Sequence, residues 1–261
     1  MTVAEPRAAR TGAARKAEPA VRLDHVTKAF GARRVLDDVS FEVPEGIGFI
    51  MLGRSGTGKS VALRHIIGLL RPDEGRVFVR GQEISALSGE ALSDVRREIG
   101  FLFQSAALFD SISVGENVAF PMRRHTRLSD REIRDRAMAK LESVGLGNDY
   151  EKMPGDLSGG MRKRAGLARA MALDPAVLLV DEPSAGLDPV TSEEIDQLLI
   201  TLKGQGATLI VVTHNIPSAR ALGDRLVTLH EGRIAAEGTV EDFEHSEHEL
   251  VRAFMASSHS G

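Results

Sequence analysis

The chain has no cysteine among its 261 residues. That excludes disulfides, thiolate metal sites and a cysteine nucleophile, and it suits a reducing compartment. Long apolar runs are also missing: none approaches the roughly 20 residues that a membrane helix needs, so a link to a membrane has to come through a partner. Nor is there an excess of positive charge. A formal net charge of -4 gives no overall field to draw the chain to nucleic acid or anionic lipid. Residues 1–20, MTVAEPRAARTGAARKAEPA, lack the apolar stretch of a signal peptide and read as a disordered, solvated tail. Internal repeats and a coiled-coil insertion are absent too.

What is present fits a folded α/β protein. Hydrophobic residues make up 42% and charged residues 27%, and the length allows one large domain, with or without a smaller subdomain. Val39, Phe41 and Val43 alternate with polar residues, as do Val77 and Val79, predicting half-exposed antiparallel strands. Three short runs are apolar throughout: IGFIML at 47–52, AVLLV at 176–180 and ATLIVV at 207–212. Each is followed by a polar or glycine-rich turn, the pattern of parallel strands covered on both faces. RLVTLHEGRIAAEG, 225–238, reads as a hairpin turning at Glu231 and Gly232. From Ser105 to Pro154 the pattern becomes helical, with Ser129 placed to cap the helix in DREIRDRAMAKLESVGL. A short helix using Leu250, Val251 and Phe254 is expected near the C-terminus.

The first chemistry-bearing motif is GRSGTGKS, which fits G-x-x-x-x-G-K-S between an apolar strand and the helical pattern VALRHIIGLL. A merely connecting glycine-rich turn does not account for the full motif in that context. Gly53, Arg54, Ser55, Gly56, Thr57, Gly58, Lys59, Ser60 and Val61 are therefore candidate nucleotide-binding residues. Glycines let successive backbone N–H groups turn inward as an anion nest, and the helix N-terminus adds its dipole. Lys59 reaches the β- and γ-phosphates in such a loop, and Ser60 ligates Mg²⁺. At the end of AVLLV stand Asp181, suited to hold the metal, and Glu182, suited to act as general base on the attacking water.

A second phosphate-binding pattern follows the first. LSGGMRKR, 157–164, places Ser158, Gly159 and Gly160 at the opening of a helix whose first N–H groups are uncommitted. A triphosphate cradled by GRSGTGKS does not need it. The half-site is suited to the ATP of another copy.

With these motifs in order, residues from about Val21 to Gly238 resemble the ATP-binding-cassette ATPases, the motor subunits of ABC transporters. The resemblance implies a P-loop α/β core with an N-terminal antiparallel β subdomain and an inserted helical subdomain at about 105–170, the whole spanning 21–240, followed by a helical extension and tail at 241–261. It assigns Phe30 in VTKAFG to stacking on adenine, Gln104 in FLFQS to sensing Mg²⁺ and the membrane partner, and LSGGM to the signature. It also assigns Asp188 in SAGLD to communication across a dimer, and His214 in VVTHN to the γ-phosphate. Met161 stands where most members carry Gln, and Asn215 where Asp is commoner, but neither change removes a group assigned to phosphate or metal.

The connecting text is narrower. LFQSAALFDSISVGENVAFPMRRHT, LSGGMRKRAGLARAMALDP and DEPSAGLDPVTS are similar to the ATPase subunits of Mla/Mce-type systems, which move phospholipids or other lipids across the bacterial envelope. Met161 is characteristic of that branch. The resemblance implies ATP and Mg²⁺ as ligands, a head-to-tail dimer, integral-membrane permease subunits, an Mce-type lipid-binding protein and a small accessory regulator, at the cytoplasmic face of the inner membrane. Nucleic acid is not among the partners it implies. Other readings fit less well. A non-transport cassette protein, such as a DNA-repair or translation factor, commonly carries two cassettes, and a P-loop switch protein or kinase gives LSGGM no role. The ATPase of another importer or of a cell-division complex is the nearest alternative. His245, His248 and His259, loosely spaced among Glu241, Glu244 and Glu247, read as a solvated tail rather than a metal site, and the helix around Phe254 is a candidate to dock on a neighbouring chain.

Overall fold

A computed structural model describes residues 18–54 and 56–256. Ser55, His259 and most of the expected N-terminal tail lie outside the described residues. The chain begins with strands β1 (Val21–Phe30), β2 (Arg33–Val43) and β3 (Gly48–Leu52), then helix α1 (Lys59–Ile66). Strands β4 (Glu74–Val79) and β5 (Gln82–Glu83) lead through α2 (Gly89–Arg97) to β6 (Ile99–Leu102). Helices α3 (Val114–His125), α4 (Asp130–Ser143) and α5 (Gly159–Ala170) follow. The chain then runs through β7 (Val177–Asp181), α6 (Pro189–Gly204), β8 (Thr208–Thr213) and α7 (Ile216–Leu222). It ends with the hairpin β9 (Arg225–His230) and β10 (Arg233–Gly238), then α8 (Val240–Glu244) and α9 (Glu249–Ala256).

The strands form two sheets, one antiparallel in the order β2-β1-β4-β5 and one in the order β10-β9-β3-β8-β7-β6. In the second sheet β9, β3, β8, β7 and β6 run parallel, and β10 returns antiparallel along the edge. Every residue of β3, β7 and β8 is buried, because helices cover one face of this sheet and the antiparallel sheet with α1 covers the other. Alternation then divides each apolar run between two cores. Ile50, Leu52, Leu178, Val180, Leu209 and Val211 join the core beneath α3 to α7. Phe49, Met51, Val177, Leu179, Ile210 and Val212 join the core beneath the antiparallel sheet, where Phe49 stacks on Phe41 with ring centroids 5.1 Å apart. Each such side chain contributes about 1.5–3 kcal/mol by leaving water.

The alternation at Val39–Val43 marks the buried face of β2, and Glu231 and Gly232 both take positive φ in the turn between β9 and β10. Ser129 caps α4 as expected. Its hydroxyl accepts from the Glu132 N–H, and the Glu132 carboxylate accepts from the Ser129 N–H at 2.8 Å, a reciprocal capping box. The helical reading from Ser105 needs correction, since the first helix there begins only at Val114. Residues 103–113 are irregular, with Ala106 and Ala107 both in the left-handed region at φ 61° and 48°. Side chains elsewhere hold them there, as described below. Gly115 lies against Tyr150, where an added Cβ would come within 2.3 Å of the ring, so α3 needs glycine to approach the segment before α5.

The capping box carries a stability prediction. Ser129→Ala should lower unfolding free energy by about 1 kcal/mol in urea denaturation, with the slope unchanged.

Candidate nucleotide site

The phosphate loop leaves β3 at Leu52 and enters α1 at Lys59. Gly58, the N-cap of α1, has φ 105°, and a Cβ there would lie 2.7 Å from the Val35 carbonyl oxygen, so glycine is required both by conformation and by space. The Lys59 ammonium is buried and donates to the carbonyls of Gly53 at 2.6 Å and Arg54 at 3.0 Å. Its burial lowers its pKa, against the pull of Glu182 and Asp181. Thr57 turns inward, its hydroxyl donating to the Arg54 carbonyl at 3.0 Å, and the guanidinium of Arg33 donates to the Gly56 carbonyl at 3.2 Å.

Parallel pairing of β3, β8 and β7 brings the ends of these strands to one edge. There the Ser60 hydroxyl donates to Asp181 Oδ1 at 2.9 Å. Burial raises the pKa of Asp181, the Ser60 hydrogen bond opposes that, and the neighbouring Glu182 charge adds to it. Glu182 itself sits at φ 48°, an unusual left-handed conformation for a residue with a side chain. Its N–H donates to the Val212 carbonyl at 2.9 Å, and its Oε2 accepts from His214 Nδ1 at 2.8 Å. Its carbonyl accepts from Lys163 Nζ at 2.9 Å and from the Ala185 N–H at 3.2 Å. The Glu182 side chain is 13% exposed and that of His214 69%, so the histidine stands at the mouth.

A cleft of about 930 Å³ opens over these groups. Phe30, Arg54, Gly56, Gly58, Lys59, Ser60, Val61, Gln104, Glu182 and His214 all line it. Phe30 is half exposed, as a stacking surface for a base has to be. Leu250, Ala253 and Phe254 of α9 line the cleft too, while Val251 and Met255 of the same helix are buried in the core.

The signature forms a separate corner. Ser158 caps α5, its hydroxyl accepting from the Met161 N–H at 3.2 Å, and Ser158 and Gly159 are exposed. A Cβ on Gly160 would come 2.4 Å from Cγ2 of Thr191, so the N-termini of α5 and α6 lie side by side. Asp188 caps α6, accepting from the Thr191 N–H at 3.0 Å and its hydroxyl at 2.6 Å, hydrogen bonds that hold its carboxyl below the usual range. Ser158, Gly159, Gly160 and Asp188 do not line the cleft.

Further along α5, Arg169 donates to the carbonyls of Ala106 and Ala107, both at 2.7 Å. This guanidinium holds the left-handed alanine pair that follows Gln104. Beside it lies a groove of about 350 Å³, lined among others by Phe101, Phe103, Phe109, Phe120, Arg97 and His125. Phe109 and Phe120 are about half exposed, with ring centroids 5.0 Å apart.

The site fits a magnesium nucleotide. It offers a hydroxyl and a carboxylate already in contact, a buried ammonium on a helix N-terminus, and room for a base beside Phe30. Among the described residues no group of three or more His, Cys, Asp or Glu side chains is placed to hold a metal. That accords with an ion held partly by phosphate oxygens and water. His245, exposed, pairs its ring with the Glu241 carbonyl at 3.0 Å. No helix among the described residues is long and apolar enough to cross a membrane.

Comparisons with known proteins agree with this geometry. The ABC transporter family profile matches residues 36–185. The chain is 45% identical over 237 residues to the probable ribonucleotide transport ATP-binding protein mkl of Mycobacterium leprae, covering 90% of this chain and 68% of that protein. It is 38% identical over 242 residues to the intermembrane phospholipid transport system ATP-binding protein MlaF of Haemophilus influenzae, covering 92% of each. The dimeric ATP-binding cassette MJ0796, solved with ADP and Pi, superposes with a TM-score of 0.79 at 36% identity, over 84% of this chain and 98% of that one. The chain belongs to the ABC transporter family, as its ATP-hydrolysing subunit.

Sequence reasoning missed Lys163, Arg169, Arg33 and the α9 side chains. Removing the buried ammonium by Lys59→Ala should abolish ATP binding, as measured by equilibrium titration with a fluorescent nucleotide; micromolar affinity would contradict the phosphate-loop geometry.

Proposed function

We propose that this chain drives a lipid transporter of the Mla/Mce type, hydrolysing ATP at an interface between two copies of itself. The observation that carries the dimer is the separation on one chain of two phosphate-binding features. GRSGTGKS, Glu182 and His214 share one cleft, while the signature opens α5 elsewhere, with Ser158 and Gly159 exposed and Gly160 packed beside Thr191. Two copies arranged head to tail give each cleft the signature of the other. The MJ0796 cassette, whose fold this chain shares, is a dimer in its solved structure.

In the proposed mechanism Phe30 stacks on the adenine, and the loop from Gly53 to Gly58 wraps the phosphates with its N–H groups. Lys59 exchanges carbonyl partners for phosphate oxygens. Ser60, Asp181 and Gln104 would hold Mg²⁺, which when bound would supply positive charge to the phosphates. Glu182 takes a proton from the attacking water, and His214, fixed by its hydrogen bond to Glu182, steadies the γ-phosphate. Asp188, at the corner shared by α5 and α6, faces the second copy. ATP thus joins the two cassettes, and hydrolysis releases them.

The groove beside Gln104 suits a helical segment of a permease. Its exposed Phe109 and Phe120 supply apolar area, and Arg97 and Arg169 favour an acidic partner. The remaining partners are an Mce-type lipid-binding protein and a small accessory regulator, with the assembly at the cytoplasmic face of the bacterial inner membrane. Lipid cargo is supported by the MlaF relatives and by the wording around Met161. The mycobacterial mkl relatives, named for ribonucleotide transport and more similar in identity, favour ribonucleotide cargo as a second reading.

Purification from the native membrane should bring down a multi-span permease and a lipid-binding protein, and reconstituted ATPase should respond to phospholipid rather than to ribonucleotide; the reverse response would favour the second reading. Glu182→Gln should lower kcat by about 10²–10⁴ and trap an ATP-bound dimer detectable by size-exclusion chromatography, whereas hydrolysis at the wild-type rate would remove Glu182 from the role of base.

A further inference from the structure

Lys163 is 5% exposed, on the face of α5 that also buries Gly160, Gly166 and Leu167. A buried ammonium is costly unless something specific compensates it. Its hydrogen bond here goes to a backbone atom, the carbonyl oxygen of Glu182, at 2.9 Å. Burial lowers its pKa, while the charges of Asp181 and Glu182 pull the other way. The residue it holds has a left-handed backbone. Glu182 has φ 48°, a conformation that costs a side-chain-bearing residue of the order of 1–2 kcal/mol. In that conformation its carboxylate reaches His214. The N–H of Glu182 is fixed by β8, its carboxylate by His214 and its carbonyl in part by the Ala185 N–H at 3.2 Å, and Lys163 adds a shorter, charged hydrogen bond to that carbonyl.

We propose that Lys163 is a positioning residue for hydrolysis: by holding the Glu182 carbonyl it keeps this backbone left-handed and its carboxylate aimed at the site of the attacking water. The inference rests on the reading of Glu182 as general base. It gives a role to a residue inside the signature helix that touches neither phosphate nor metal.

The test uses the full chain in its permease complex. Lys163→Met keeps an unbranched apolar stem but removes the donor. It should lower kcat roughly 10- to 100-fold, the scale of one lost hydrogen bond to a charged group, while KM and nucleotide affinity stay within about twofold. Lys163→Arg, which keeps a donor, should recover most of the loss. In the Glu182→Gln background Lys163→Met should cost nothing more, because a residue that acts through Glu182 has no effect once the base is gone. Should methionine prevent folding, Lys163→Leu, which also lacks a donor, carries the same expectations. An unchanged kcat, a parallel loss of ATP binding, or a further loss in the Glu182→Gln background would each overturn the proposal. If Glu182→Gln alone hydrolyses at the wild-type rate, it is the base assignment that fails. If that variant is inactive and Lys163→Met is normal, the base stands and Lys163 is structural.

Discussion

The site depends on the register of three buried parallel strands. Leu52 pairs with Thr213 across β3 and β8, and Asp181 pairs with Val212 across β7 and β8. Because those pairings are fixed, the phosphate loop, the two carboxylates and the histidine leave the sheet at one edge and within hydrogen-bonding reach of one another. A slip of one residue in any strand would exchange its two faces, send each apolar side chain into the other core and shift the strand's end away from its neighbours. The double burial of Ile50 against one core and Phe49 against the other is therefore also what keeps Ser60 on Asp181. Stability and catalytic geometry share one cause.

Helix α5 is the second organising element. Its first residue pair carries the signature glycines, its middle carries Lys163 against Glu182, and its last turn carries Arg169 against Ala106 and Ala107. Each contact uses a cation on a backbone carbonyl or a bare helix terminus. These contacts are insensitive to the partner residue's identity, so they fix main-chain shape and leave side chains free for chemistry. Two left-handed backbone segments with side chains, at Glu182 and at Ala106–Ala107, are both braced from this one helix.

The sequence made the central sheet legible because apolar runs of five or six residues with β-branched members, followed by turn residues, have few other uses. The phosphate loop and the acids after β7 were readable for the same reason: their chemistry demands a fixed spacing. The stretch before α3 was misread because SAALFDS carries helix formers, while its real conformation is imposed by Arg169, more than sixty residues later. The same limit hid Lys163. Nothing local distinguishes a buried lysine in RKRAGLARA from its exposed neighbour Arg162, and only tertiary packing decides which cation turns inward. α2 escaped notice because its apolar stripe is only one turn long, made by Leu92 and Val95.

The α9 helix gives the cleft an apolar wall made by the chain's own C-terminal region. Leu250, Ala253 and Phe254 face the nucleotide cleft while Val251 and Met255 anchor the helix behind them. Bulk added to that face of α9, at Ala253 above all, would therefore narrow the nucleotide chamber, whereas a change at Val251 or Met255 would move the wall itself.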